Sequence, residues 1–188
     1  AAGLGATVNI LDVNLNRLRY LDEIMPKNVR TIYSNQYNIQ ELLPRTDLLI
    51  GAILIPGAKA PKLVSKEMLG KMQEGSVVVD VAVDQGGCIE TCKPTTHENP
   101  IYQVDGIIHY CVPNIASRVA RTSSFAICSI ISPLLIKIGE EGGVKNLIKK
   151  DEGVRSGVYT FRKMMTNKTL SEMFDFQFKD LNLIITAI

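Results

Sequence analysis

The stretch Ser76–Glu90, SVVVDVAVDQGGCIE, decides the fold. Its first half is a run of valines broken only by Asp80 and Ala82, which suits a strand covered on both faces, as in a parallel sheet. Its second half changes character at Asp84, Gln85, Gly86 and Gly87. An acid and a glycine pair directly after a buried strand make a loop at a strand's carboxyl end. In open α/β sheets that edge is where ligands bind. The glycines permit positive φ and close backbone approach. The competing reading is a plain turn, with Asp84 as its turn former.

Upstream, Ala1–Leu4 reads as the last turn of a helix stopped by Gly3 and Gly5. These glycines close a helix and precede a strand, the reverse of a dinucleotide fingerprint. Thr7–Leu11 is a short strand tipped by Asp12, and Asn14–Ile24 follows as a helix with Leu15, Leu18, Leu21 and Ile24 on one side. Asp12 suits hydrogen bonds from an adenosine ribose and would repel a 2′-phosphate, favouring NAD over NADP. It equally suits a helix N-cap. Arg17, one turn along, fits either a place over the adenosine or plain solvation.

Val29–Tyr33 is the next strand, tipped by Ser34 and Asn35, and Asn38–Leu43 a short helix closed by Pro44. Asp47–Leu54 is an apolar strand followed by IPGAKAPKLV, a rigid loop with two prolines. Ser65 caps a helix running to Met72. The alternation of strand and helix implies a parallel sheet with crossover helices.

Downstream, Lys93–Tyr102 is a polar excursion and Gly106–Val112 a returning strand ending in Pro113 and Asn114. Ile115–Ile138 reads as one long apolar helix, bent by Pro133, suited to subunit or interdomain contact or to ordinary core packing. Short helices are expected at Val144–Lys149, Val158–Met165, Leu170–Phe174 and Lys179–Ile185. Phe161, Phe174, Phe176, Phe178 and Leu183 there need another surface to cover them.

Composition bounds the function. The chain has 188 residues, 46% hydrophobic and 21% charged, which fits a globular protein. A net charge of +2 argues against a nucleic-acid binder working through a basic face. The apolar run at Phe125–Ile138 is interrupted by Ser129, Ser132, Pro133 and Lys137, making a poor membrane span, and no signal peptide opens the chain. Cys88, Cys92, Cys111 and Cys128 complete no zinc pattern with His97 and His109, so reduced structural thiols and no metal are expected, consistent with the cytoplasm. A start at AAGLGATVNILD, a helix end leading into a strand, reads as a fragment, a trimmed product or one domain of a longer chain.

With strand tips at Asp12, Ser34, Leu54, Asp84 and Asn114, the chain resembles the C-terminal half of the alanine dehydrogenases. The motifs that carry the likeness are ILDVNLNRLRYLD, YSNQYNIQELL, DLLIGAILIPGAKAPKLV, GSVVVDVAVDQGGCIETCKPTTH, PNIASRVARTSS and GVYTFRKMMTNKTLSEMF, in family order over essentially the whole chain. The NAD-binding subunits of proton-translocating transhydrogenases share a version of LIPGAKAPKLV and stand as the alternative, as does a non-catalytic nucleotide-binding module. Saccharopine and lysine-forming dehydrogenases are more remote.

The resemblance implies an α/β fold: a Rossmann-like doubly wound parallel sheet, N-terminally truncated, with a C-terminal helical segment. Residues 1–114 would form the NAD-binding domain, lacking its first strand and glycine-rich phosphate turn. Residues 115–188 would form a connecting helix and a helical segment packed on an absent substrate domain. It also implies an NAD-dependent enzyme converting L-alanine to pyruvate and ammonia, with an N-terminal substrate domain, assembly into a homo-oligomer, usually a hexamer, and no nucleic-acid or membrane partner. This portion alone would be inactive.

By position, Asp12 would take the ribose hydroxyls, Arg17 would lie near the adenosine and Ser34 near the adenine, with Ile53 and Leu54 lining the dinucleotide. Val81, Ala82, Val83 and Asp84 would pass beneath the nicotinamide ribose, and Lys93 would make a basic contact. Val112, Pro113, Asn114 and Ile115 would close the nicotinamide end. Asp84 is the family catalytic residue present, a carboxylate able to orient a water or amino group or to hold a partner histidine. At Pro113–Arg118 the run PNIASR replaces an Ala-Asn-Met-Pro-like run, which alters the packing of that pocket.

Overall fold

The computed structural model describes residues 1–55 and 59–186. The chain divides into two compact units, Ala1–Leu54 with Ala60–Pro113, and a second built mainly from the residues after Pro113. Part of the IPGAKAPKLV loop, Pro56 to Ala58, lies outside the described residues.

In the first unit a single 3-10 turn at Ala2–Leu4 ends on Gly5 in the left-handed region, φ 87°. It leads into β1 (Val8–Asp12), α1 (Leu15–Ile24) and β2 (Val29–Tyr33). β1 and β2 pair in parallel, Val8 opposite Val29 through Asp12 opposite Tyr33. Asn14, not Asp12, caps α1: its side chain accepts from Arg17 N. Asp12 Oδ1 instead accepts from Asn14 N at 2.8 Å, fixing the capping residue. Asn35 caps α2 (Gln36–Leu42) in the same way.

β3 (Leu48–Gly51), α3 (Lys66–Leu69) and β4 (Val77–Asp80) form the next parallel pair. Ser65 caps α3, its Oγ accepting from Met68 N at 3.2 Å. β5 (Ile101–Val104) and β6 (Ile107–Tyr110) complete a four-stranded sheet of order β3-β4-β6-β5, with β5 antiparallel to β6. The polar excursion therefore closes with a strand that its composition hides. β5 and β6 are joined by Asp105 and Gly106, both at positive φ, 50° and 78°. That is the two-residue hairpin turn for which Asp-Gly is the strongest short signal.

The core lies on one side of this sheet. Ile39 and Leu43 from the α2 region, Met68, Leu69 and Met72 from the α3 region, Val64, Val78, Ile89 and Ile107 pack into one buried cluster, with Leu11, Leu49 and Ile53 against it. Alternation along β3 turns Leu49 toward the cluster and leaves Leu48 and Ile50 on its other face exposed among the described residues.

In the second unit, Asn114 adopts a left-handed conformation, φ 55°, and starts a 3-10 stretch at Ile115–Val119. α4 (Ala120–Glu140) follows, with Pro133 inside it and no buried residue. Over Ile115–Glu140 the helical run is long and apolar enough to cross a membrane by length and composition alone. α5 (Val144–Lys150), α6 (Glu152–Ser156), α7 (Lys168–Met173) and α8 (Leu181–Thr186) are short. Ile148, Leu181 and Ile185 form a small core with Val154, Val158 and Phe161 against it.

The expected helix at Val158–Met165 is instead a hairpin, β7 (Thr160–Phe161) with β8 (Met164–Met165). Its turn residues Arg162 and Lys163 both sit at positive φ, 48° and 66°. Neither is glycine, asparagine or aspartate, so nothing in their identity marks the turn.

Candidate functional site

The segment after β4 is built around one buried carboxylate. Asp80 is fully buried at the end of the strand. Its Oδ1 accepts from Ala82 N at 3.0 Å, and its Oδ2 from Cys88 N at 2.9 Å and Ile89 N at 3.2 Å. A buried carboxylate is tolerated when donors of this kind surround it, and bonds to a charged group are the stronger ones. Asp80 thus pins both ends of the intervening loop to the strand tip.

The glycines follow from that clamp. A Cβ on Gly87, whose φ is +68°, would lie 2.6 Å from Asp80 Oδ2. A Cβ on Gly51 would lie 2.5 Å from Cys88 Sγ and 3.2 Å from Asp80 Oδ1. Between the pinned ends the chain makes a 3-10 turn at Val83–Gln85, ended by Gly86 at φ 92°. Val83 is buried beneath the turn, while Asp84 stands exposed on it.

A second segment grips the loop from the side. Ala60 N donates to Gln85 O at 3.1 Å, Leu63 N to Cys88 O at 2.8 Å and Glu90 N to Val64 O at 2.9 Å. Lys62 Nζ donates to Gly86 O at 2.5 Å and Ile89 O at 3.2 Å. Asp80 and Lys62 are the two positioning side chains that motif reading passed over. The signal for Asp80 was a lone acid inside a valine run, where only a fully bonded carboxylate is stable.

Because β3, β4 and β6 are parallel, the residues after them share one rim of the sheet. That rim gathers Ile53 and Leu54 after β3, Val81 to Asp84 after β4, and Val112 and Pro113 after β6. Val81 N donates to Gly51 O at 2.7 Å, which ties two of these segments together. Leu54 is 66% and Val81 48% exposed, whereas Ala82, Val83 and Val112 are buried and serve as support.

Asp12 and Ser34 meet at the rim of the two-stranded sheet, where Ser34 N donates to Asp12 O at 2.9 Å. The Arg17 guanidinium lies over the Tyr20 ring, 5.1 Å from its centroid. Lys93 is exposed, with Nζ 4.9 Å from the centroid of the Tyr102 ring, and its N–H donates to Tyr102 Oη at 2.8 Å. Asn114 and Ile115 belong to the second unit.

The thiols in this region differ in chemistry. Burial and then the Asp80 carboxylate push the Cys88 thiol up. Among the described residues no group of three or more histidine, cysteine or acidic side chains is placed to hold a metal ion.

Known proteins resemble this chain in sequence and in fold. Alanine dehydrogenase of Methanococcus maripaludis is 47% identical over 176 residues, which cover 93% of this chain and 47% of that protein. A solved L-alanine dehydrogenase superposes with a TM-score of 0.81 at 39% identity, covering 93% of this chain and 48% of the other. A transhydrogenase from Sinorhizobium meliloti gives a TM-score of 0.63 at 31% identity, covering 71% of this chain and 38% of that one.

The alanine dehydrogenase similarity is thus the stronger on identity, coverage and superposition together. The chain spans about half the length of the curated relatives it matches. The α/β fold with mostly parallel sheets expected from the valine run is the fold of this domain in those proteins. The family model described as "Alanine dehydrogenase/PNT, C-terminal domain" matches residues 1–168, and the chain belongs to that family, the NAD(H)-binding domain of alanine dehydrogenases.

Proposed function

We propose that this chain is the NAD-binding portion of an alanine dehydrogenase, a soluble cytoplasmic enzyme that interconverts L-alanine with pyruvate and ammonia. The observation that carries this reading is the Asp80 clamp, which holds the exposed Asp84 carboxylate on a fixed turn at a strand's carboxyl rim. The residues fit the cofactor chemically. Exposed aliphatic side chains at Leu54 and Val81 offer flat apolar contact for a ring, and the Asp12 carboxylate at the tip of β1 suits a ribose diol.

When bound, NAD supplies the hydride acceptor. Asp12 binds the ribose hydroxyls and disfavours a 2′-phosphate. Arg17 and Ser34 flank the adenosine, and Ile53 and Leu54 line the dinucleotide. Val81, Ala82 and Val83 form the floor of the nicotinamide end, and Val112, Pro113, Asn114 and Ile115 its wall, with Lys93 a basic contact. Asp84 orients a water or the substrate amino group, or holds a histidine from the substrate domain. Residues 1–114 act as the cofactor domain. Residues 115–188, with α4, pack on an N-terminal substrate domain and in a homo-oligomer. The chain alone is inactive because substrate recognition lies in that other domain.

The test is an assay of the polypeptide that joins this chain to its substrate domain, with L-alanine and either cofactor. NADH formation with a clear preference for NAD is expected; no alanine-dependent reduction, or equal efficiency with NADP, overturns the respective assignment. Asp84→Asn is expected to lower turnover roughly 10²-fold or more with little change in NADH affinity. A loss confined to NADH binding would remove Asp84 from the chemistry.

A further inference from the structure

Tyr102 on β5 stands opposite His109 on β6. Their rings stack, with centroids 5.0 Å apart and planes inclined by 22°. His109 is fully buried and both its nitrogens are engaged: Nδ1 lies 3.0 Å from Ile107 O and Nε2 2.8 Å from Thr91 Oγ1. The histidine is therefore a fixed support for the phenol.

The Tyr102 hydroxyl is fixed as well. It donates to Thr91 O at 2.9 Å, accepts from Lys93 N at 2.8 Å and lies 3.7 Å from the Cys111 sulfur. Thr95 N donates to Cys111 O at 3.0 Å, which ties the same segment to the residue after β6. Lys93 thus leaves a main chain that is held on both sides of it.

The Lys93 ammonium ends over the same phenol ring, 4.9 Å from its centroid. The residue is exposed, and none of the ion pairs among the described residues includes it. A carboxylate beside Lys93 would hold the ammonium and cancel its charge. A ring face holds it through the quadrupole and leaves the charge whole. The ring also restrains a flexible four-carbon stem before a ligand arrives, which lowers the ordering cost of binding. A restrained cation with no counter-charge suits an anion.

We propose that Tyr102 is a positioning residue that presents the Lys93 ammonium to the pyrophosphate of the cofactor. This rests on the reading of the chain as an NAD-binding domain with Lys93 as a basic contact. The pyrophosphate is the anion that NAD offers. Tyr102 acts through Lys93: its hydroxyl sets the main chain of the lysine and its ring sets the ammonium.

The experiment titrates the polypeptide that joins this chain to its substrate domain with NADH, followed by NADH fluorescence at several salt concentrations. Lys93→Gln is expected to weaken binding about tenfold at low salt and to make it less dependent on salt. Tyr102→Leu, which removes ring and hydroxyl, is expected to weaken it about threefold, and Tyr102→Phe, which keeps the ring, by less. In a Lys93→Gln background Tyr102→Leu is expected to change nothing further, since the two act as one unit. Circular dichroism checks that each variant is folded. Should Tyr102→Leu fail to fold, Tyr102→Met takes its place with the same expectations.

The proposal is overturned if the loss at position 102 is the same with and without Lys93, or if Tyr102→Phe binds as poorly as the variants without a ring. NADH binding that ignores Lys93→Gln overturns this proposal alone. Failure of the unsubstituted protein to bind NADH overturns the cofactor reading and this proposal with it.

Discussion

The loop after β4 and the helix α4 sit at opposite extremes of self-sufficiency. The loop has every turn accounted for: a buried carboxylate takes three backbone N–H groups, a lysine takes two carbonyls, and glycines stand where a Cβ has no room. α4 has 21 residues and none is buried; Ile130 is 74% and Phe125 69% exposed. Both are apolar in sequence. The loop's sequence is satisfied inside this chain, while that of α4 fits a helix surrounded on all sides. Apolar character reports that a segment is covered somewhere, not that its own chain covers it.

Breaking the clamp is expected to have the largest effect. Asp80→Ala leaves the N–H groups of Ala82, Cys88 and Ile89 buried without an acceptor and is expected to destabilise the first unit by more than about 3 kcal/mol. Urea titration followed by circular dichroism measures it. Gly87→Ala should cost less, about 2 kcal/mol, from the left-handed backbone together with a Cβ pressed on a carboxylate that its donors hold in place. If either change proves neutral, the loop is not held as described.

On the other side of the comparison, Ile130→Gln on α4 is expected to alter the stability of this chain by no more than about 0.5 kcal/mol. A loss several times larger in the same titration would mean that α4 is covered after all.

The smallest effect concerns the Lys137–Asp151 ion pair, 2.6 Å apart, which ties the end of α4 to the cap of α6. The Lys137 hydrogen bond holds the Asp151 carboxyl below its ordinary value, and the same bond raises Lys137. The depressed acid contributes stability at neutral pH that is lost as pH falls through its folded-state value. The raised amine contributes stability that is lost only as pH climbs above the usual lysine range. Lys137→Ala should therefore lower the melting temperature slightly at neutral pH and not at all in strong acid. A difference that persists in acid would assign the effect to something other than this pair.

Much of the first unit was legible because its signals are local. Ser65 precedes its helix at the spacing a cap needs, and the valine run with its following glycines marks both strand and loop; Asn35 reads as a strand tip and proves to be the cap of α2, which starts two residues before the expected Asn38. Asp12 was legible as a strand tip, but not as the residue that fixes Asn14 as the true cap, because both are good capping types. The clamp was not legible. Asp80 is connected to residues eight and nine positions on, a spacing no helix or strand period marks. The hairpin at β7–β8 was hidden for a different reason, since Arg162 and Lys163 hold positive φ without a residue type that favours it.

The turn at Asp105 and Gly106 has a reach beyond its two residues. It sets Tyr102 opposite His109 and Ile101 opposite Tyr110 along β5 and β6, and Gly106 is held against Glu74, whose Cγ would lie 2.8 Å from an added Cβ. A hairpin of fixed length works as a ruler. One residue inserted there would shift the facing strand by a single step, swing the phenol to the sheet's other side, and separate it from both the histidine and the sulfur it now touches.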